Sequence, residues 1–189
     1  MAGEGVVTGV VARTGWAVAI CLSGLTTAPR FEARGEIDLA PSGLPAQPYH
    51  AAADLDLAAA EELVRQVERQ AEDAAAAGLR AMAGNRAAGT PILGVAVVVK
   101  ATSLPHSVAD VLRSHAWMHA AEGVLYREAV LAAARQNGWP AHAVEESSLP
   151  GAEQTLESLG AVAGRPWRRL EKDAARAAIT LLPRSSVGL

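Results

Sequence analysis

The sequence predicts an α/β domain built on a five-stranded mixed sheet with helices on both faces. Three observations predict it: a pair of apolar strands followed by an alternating third, one uninterrupted apolar run from Ile92 to Val99, and long Ala-rich helices flanking that run. The order of elements reads βββαβαβα. The 189 residues suit a single domain spanning 1–189, with a flexible connection at about 83–91 and a short tail at 183–189.

Val6 to Val11 and Trp16 to Leu22 are rich in β-branched and apolar residues, and Arg13-Thr14-Gly15 between them supplies turn chemistry, so they form a hairpin. Arg30 to Leu39 alternates Phe31, Ala33, Gly35, Ile37 and Leu39 with charged residues, the period of a half-exposed strand with a charged edge. Pro41 to His50 carries three prolines and a glycine, which predicts a structured loop and no helix. A helix follows from about Asp56 to Met82, with Glu61 and Glu62 near its start and Arg80 near its end, as the macrodipole favours.

Ile92 to Val99 has no polar residue, which predicts a central strand covered on both sides and ending at Lys100. Ser107 to Asn137 reads as one long helix stopped by Gly138 and Pro140. Ala141 to Glu145 is a short strand, and residues 151–163 and 166–182 form a final helical region broken at Gly164-Arg165-Pro166.

Half of the residues are hydrophobic but only seven are aromatic, so the core is made of Ala, Val and Leu, and its helices pack closely. A net charge of -3 argues against a globally basic nucleic-acid binder and leaves room for a local basic face. Cys21, the only cysteine, lies in an apolar stretch and reads as a small core residue. The apolar run Trp16 to Leu25 is too short for a membrane span and lacks the basic flank of a signal peptide, so a cytoplasmic protein without membrane contact is expected.

The element order resembles that of ribonuclease H-like proteins, the RuvC-like resolvase branch in particular. Gly9-Val10-Val11 and Thr14-Gly15-Trp16-Ala17-Val18 are similar to that branch's Gly-Ile-Asp opening and Thr-Gly-Tyr-Gly-Val second strand. Glu122-Gly123-Val124 within Ala120 to Gly138 resembles the helix before its fifth strand, and Asp173 to Ala178 resembles its Asp-x-x-Asp-Ala ending. The resemblance covers most of residues 5–182 and implies a sheet order of 3-2-1-4-5.

It also implies a nuclease holding two divalent ions between acids on the first and fourth strands and the last helix. Such a site needs several carboxylates to balance about four positive charges. Here the first-strand acid falls on Val11, the fourth-strand acid near Lys100, and the second acid of the helical pair on Arg176. Asp173 remains, and Arg169 and Arg176 at i−4 and i+3 account for it as a helix-face ion pair. These replacements reverse the local field and argue against a two-metal nuclease.

His115, His119, Glu122 and Tyr126 recur at helical spacing and interrupt a stripe that also carries Leu112, Ala129 and Val130. Two His at i and i+4 with a carboxylate nearby suit zinc, and His50 can complete the group if its loop folds back; a mutually satisfied polar network is the plainer account. Glu145 and Glu146 can add carboxylates or cap the strand end. Arg165, Arg169, Lys172 and Arg176 share a predicted helical face that can contact phosphates beside Trp167 or stay an ordinary solvated face, diluted by Glu171 and Asp173. Trp117, Val124 and Leu131, seven apart, make a face for packing against the first long helix or for a homodimer.

Three functions are expected from this. The first is a non-catalytic ribonuclease H-like binding or scaffolding protein that needs no cofactor. The second is a small metal-binding hydrolase using zinc at His115, His119 and Glu122. The third is a nucleic-acid binder using the basic last helix.

Overall fold

The computed structural model describes residues 5–40, 43–84 and 90–184. β1 (Val6–Arg13) and β2 (Trp16–Leu25) form a hairpin that closes from Arg13 to Trp16 through Thr14-Gly15, with Gly15 at φ +81°. β3 (Ala28–Asp38) pairs antiparallel with β2. β4 (Ile92–Val99) then pairs in parallel with β1, and β5 (Ala141–Glu145) in parallel with β4. The resulting five-stranded sheet has the order β3-β2-β1-β4-β5, as the resemblance implies.

The helices are α1 (Pro48–Ala51), α2 (Leu57–Gly84), α3 (Val108–Val111), α4 (His115–Gln136), α5 (Glu153–Ala163) and α6 (Arg169–Leu181). Strand alternation divides the core into two layers. Val10, Ala17, Ala19, Ile37, Val95 and Val97 face α2 and α4, and Val7, Val11, Ile20, Leu22, Ala96 and Val98 face α5 and α6. Small residues set the spacing. Gly9 of β1 lies against the α6 backbone, where an added Cβ would come within 1.8 Å of the Ala174 carbonyl oxygen. Gly78 brings α2 close to β3, where an added Cβ would come within 2.4 Å of the Ile37 side chain. Cys21 is buried, with its Sγ 3.3 Å from Thr8 Oγ1.

Several expectations need correction. The helix expected over Ser107 to Asn137 is two, because the Ser114 side chain accepts a hydrogen bond from the Trp117 backbone N–H at 3.5 Å and caps a new start. The proline-rich loop does hold a helical turn, α1, whose first residue is Pro48, a position where the missing N–H costs nothing. The last helix begins at Arg169, not 166, and Glu171 accepts the Arg168 backbone N–H at 2.9 Å ahead of it. Of the face at Trp117, Val124 and Leu131, Leu131 is buried in the α2–α4 layer while Trp117 is exposed, so the three do not form one free surface. Of the connection expected at about 83–91, Ala83 and Gly84 belong to α2 and residues 85–89 lie outside the described residues, as do residues 185–189 of the tail. Among the described residues no helix is long and apolar enough to cross a membrane.

Among the described glycines, the backbone approach at Gly9 is the closest. Gly9→Ala is expected to lower the free energy of unfolding by about 2–3 kcal/mol in a urea titration, since α6 must move off the sheet. Gly123 lies within α4, where an added Cβ has no contact nearer than 3.8 Å. Gly123→Ala is therefore expected to stabilise by roughly 0.5–1 kcal/mol in the same measurement.

Candidate functional site

Parallel pairing of β1 with β4, with Val10 opposite Val97, ends both strands on the same edge of the sheet. α6 crosses this edge from one face and Arg127 of α4 reaches it from the other. Between them is a pocket of about 250 Å³ whose lining includes Val11, Arg13, Lys100, Arg127, Glu146, Arg169 and Asp173. It therefore carries four cationic side chains and two carboxylates.

Both carboxylates are ion-paired. Asp173 is buried and accepts hydrogen bonds from Arg176 Nη1 at 2.9 Å, with Arg169 Nε at 3.4 Å. Arg169 Nη2 also meets Glu146 Oε1 at 2.5 Å, and Arg176 Nη2 meets Glu153 at 2.8 Å. Among the described residues Arg13, Lys100 and Arg127 make no ion pair. Burial pulls the Arg127 guanidinium below its ordinary value, with Glu128 opposing, and at neutral pH it stays a cation.

The expected basic stripe is not a solvated helical face. Arg165 lies ahead of α6, in a turn held by Arg34 of β3, which donates to the carbonyls of Gly164 (3.3 Å), Arg165 (3.2 Å) and Pro166. Lys172 and Arg176 are half-buried, because α6 covers the sheet with much of its circumference. Trp167 is not free to stack, since its indole N–H donates to the Leu156 carbonyl at 3.0 Å and its ring packs edge-on against Phe31 at 6.5 Å. Arg13 and Arg127 are pocket residues that the motif comparison passes over. Arg13 has a signal, its place at the end of the first strand just as Lys100 ends the fourth.

A second polar site lies at the start of α4, where α1 folds against it. His50 brings its ring to within 4.9 Å of His115 and 4.4 Å of His119, centroid to centroid, and the latter two rings are 4.5 Å apart. The Nε2 atoms of His115 and His119 are 3.0 Å apart. Glu122 is fully buried, and its Oε1 accepts from the His50 backbone N–H at 3.3 Å and meets His50 Nδ1 at 2.8 Å. The other carboxylate oxygen and His50 Nε2 are buried without a hydrogen-bond partner among the described residues.

The four residues expected to share one face thus divide. His115 and His119 are exposed, while Glu122 and Tyr126 are buried. The side chains whose nitrogens converge are His50, His115 and His119, so His50 does join the group, while Glu122 stands behind His50. Tyr126 stands apart, its hydroxyl donating to the Ala46 carbonyl at 2.7 Å. Burial, with the Glu122 and Asp38 charges adding, pushes the Tyr126 hydroxyl up to about 12. Burial likewise pushes Tyr49 up to about 12, with Glu68 and Glu122 adding.

No protein-family model and no curated protein matches this chain. Among solved structures it is similar to Thermus thermophilus RuvC in complex with Holliday junction substrate, at 17% identity and a TM-score of 0.53, covering 94% of this chain and 92% of that one. A second Thermus thermophilus RuvC structure matches at 16% identity and a TM-score of 0.47, over 93% of this chain and 92% of that one. The strand order and the first of these likenesses agree: the chain has the α/β, ribonuclease H-like fold that RuvC also has.

Proposed function

We propose that the protein binds nucleic acid through the pocket at the ends of β1 and β4, and that it does so without two-metal cleavage. The observation that carries this reading is the inverted charge of the pocket: Arg13, Lys100, Arg127 and Arg169 against Glu146 and Asp173. Guanidinium groups match phosphate geometry, and a concave cluster of cations is where a phosphate backbone gains most.

The donor set does not fit two divalent ions. Such ions need several free carboxylate oxygens, whereas Asp173 is engaged by Arg176 and Arg169, and Glu146 by Arg169. Val11 offers no ligand, and the Lys100 ammonium would repel a cation. Binding then rests on the cations, and no cleavage step is derived from this pocket. The solved RuvC complex holds a Holliday junction, which makes branched DNA the first ligand to try.

Anisotropy titrations with branched DNA are expected to give an affinity that falls with salt at a log–log slope of about −0.9 per phosphate contacted. Lys100→Ala is expected to weaken binding and to reduce that slope by about one contact. Absent or salt-insensitive binding would sink the proposal. Incubation of the same junctions with magnesium should leave them intact, and cleavage that disappears in Asp173→Ala would restore a nuclease assignment.

A further inference from the structure

We propose that His50, His115 and His119 bind one late first-row divalent cation, zinc foremost, with Glu122 positioning His50 from behind. This site goes beyond the nucleic-acid reading and does not depend on it. On the axis of α4, His119 and the pocket residue Arg127 are about 12 Å apart by helical rise.

The first argument is convergence. Each imidazole offers one ligand nitrogen, and the three nitrogens lie within 4.8 Å of one another. Tetrahedral zinc with bonds of about 2.0–2.1 Å sets its donor atoms roughly 3.3 Å apart. The His115 and His119 nitrogens, 3.0 Å apart, are already near that separation. The third imidazole comes from α1, a different element, so the group is more than an i, i+4 pair on an exposed helix.

The second argument is the state of His50. With Nδ1 donating to the Glu122 carboxylate at 2.8 Å, the lone pair belongs to Nε2. That nitrogen is buried and has no hydrogen-bond partner among the described residues. A carboxylate behind an imidazole is how metal-binding histidines are oriented and made more basic.

The third argument is charge. Glu122 is fully buried, and one of its oxygens has no hydrogen-bond partner among the described residues. A carboxylate in that setting is costly without compensating positive charge, which a cation on the His50 ring supplies. An all-nitrogen donor set selects zinc, copper or nickel over magnesium or calcium. Because His115 and His119 are exposed, a fourth coordination position opens to water, as in exchangeable zinc sites and unlike closed structural ones.

The test is calorimetric titration of chelator-stripped full-length protein with zinc, followed by cobalt substitution read from its visible bands. One equivalent of zinc is expected, with a tetrahedral cobalt spectrum. His50→Ala should abolish both, and Glu122→Gln should weaken zinc binding about 10- to 100-fold. The exposed pair His115→Ala/His119→Ala should abolish uptake while leaving the far-UV circular dichroism unchanged, which separates loss of ligands from loss of fold. Failure of the wild-type protein to take up an equivalent would overturn the proposal. So would uptake undiminished in His50→Ala, the result for an adventitious helix pair only.

Discussion

The contact on which most of the molecule depends is the seating of α6 on β1 over Gly9, where helix backbone meets strand backbone with no side chain between them. Ala174, Ala175, Ala177 and Ala178 continue the contact and are all fully buried. In a chain so poor in aromatic residues, dispersion and apolar burial must come from close approach of many small groups. That closeness fixes α6 along the strand and brings Asp173 and Arg169 to the sheet edge beside Val11 and Lys100. The charge content of the pocket is thus a consequence of packing that lies one turn away.

The two polar sites handle buried charge in opposite ways. At the sheet edge, arginines hold Asp173 and Glu146, and the remaining cations, Arg13, Lys100 and Arg127, line the pocket beside them. At the start of α4, Glu122 is deeper and bonds to His50, and its other oxygen has no hydrogen-bond partner among the described residues. Partly satisfied buried polar groups are costly in a low-dielectric interior.

The sheet was legible in the sequence because its signals are local. Alternation in β3, the apolar run of β4 and the Gly15 turn each need only a few neighbouring residues, and the break at Gly164 to Pro166 is equally local. The split between α3 and α4 was hidden because the residues around Ser114 keep a helical period while the serine side chain caps a new helix. The histidine site was half legible. His115 and His119 are neighbours by helical spacing, but His115 and Glu122 are about 10 Å apart along the axis, and Glu122 meets His50 instead. The partner that closes the gap, His50, comes from 65 residues earlier, and no periodicity reports such a contact. The basic pocket was legible as absence, in the acids missing at Val11 and Lys100; the added cations Arg13 and Arg127 come from separate elements and carry no shared pattern.

The division of the core into two layers has a temporal side. The layer against α2 and α4 draws on residues up to Ala141, whereas the opposite face of the same strands is covered mainly by α5 and α6 with the segments that flank them, from Leu149 onward. A chain emerging from the ribosome can therefore complete one side of its sheet while Val7, Val11, Ile20 and Leu22 on the other still face water. Until α6 is added, that face of the sheet lacks its cover and the pocket that Arg169 and Asp173 help to line is incomplete, so burial of this layer and closure of the pocket depend on the same late segment.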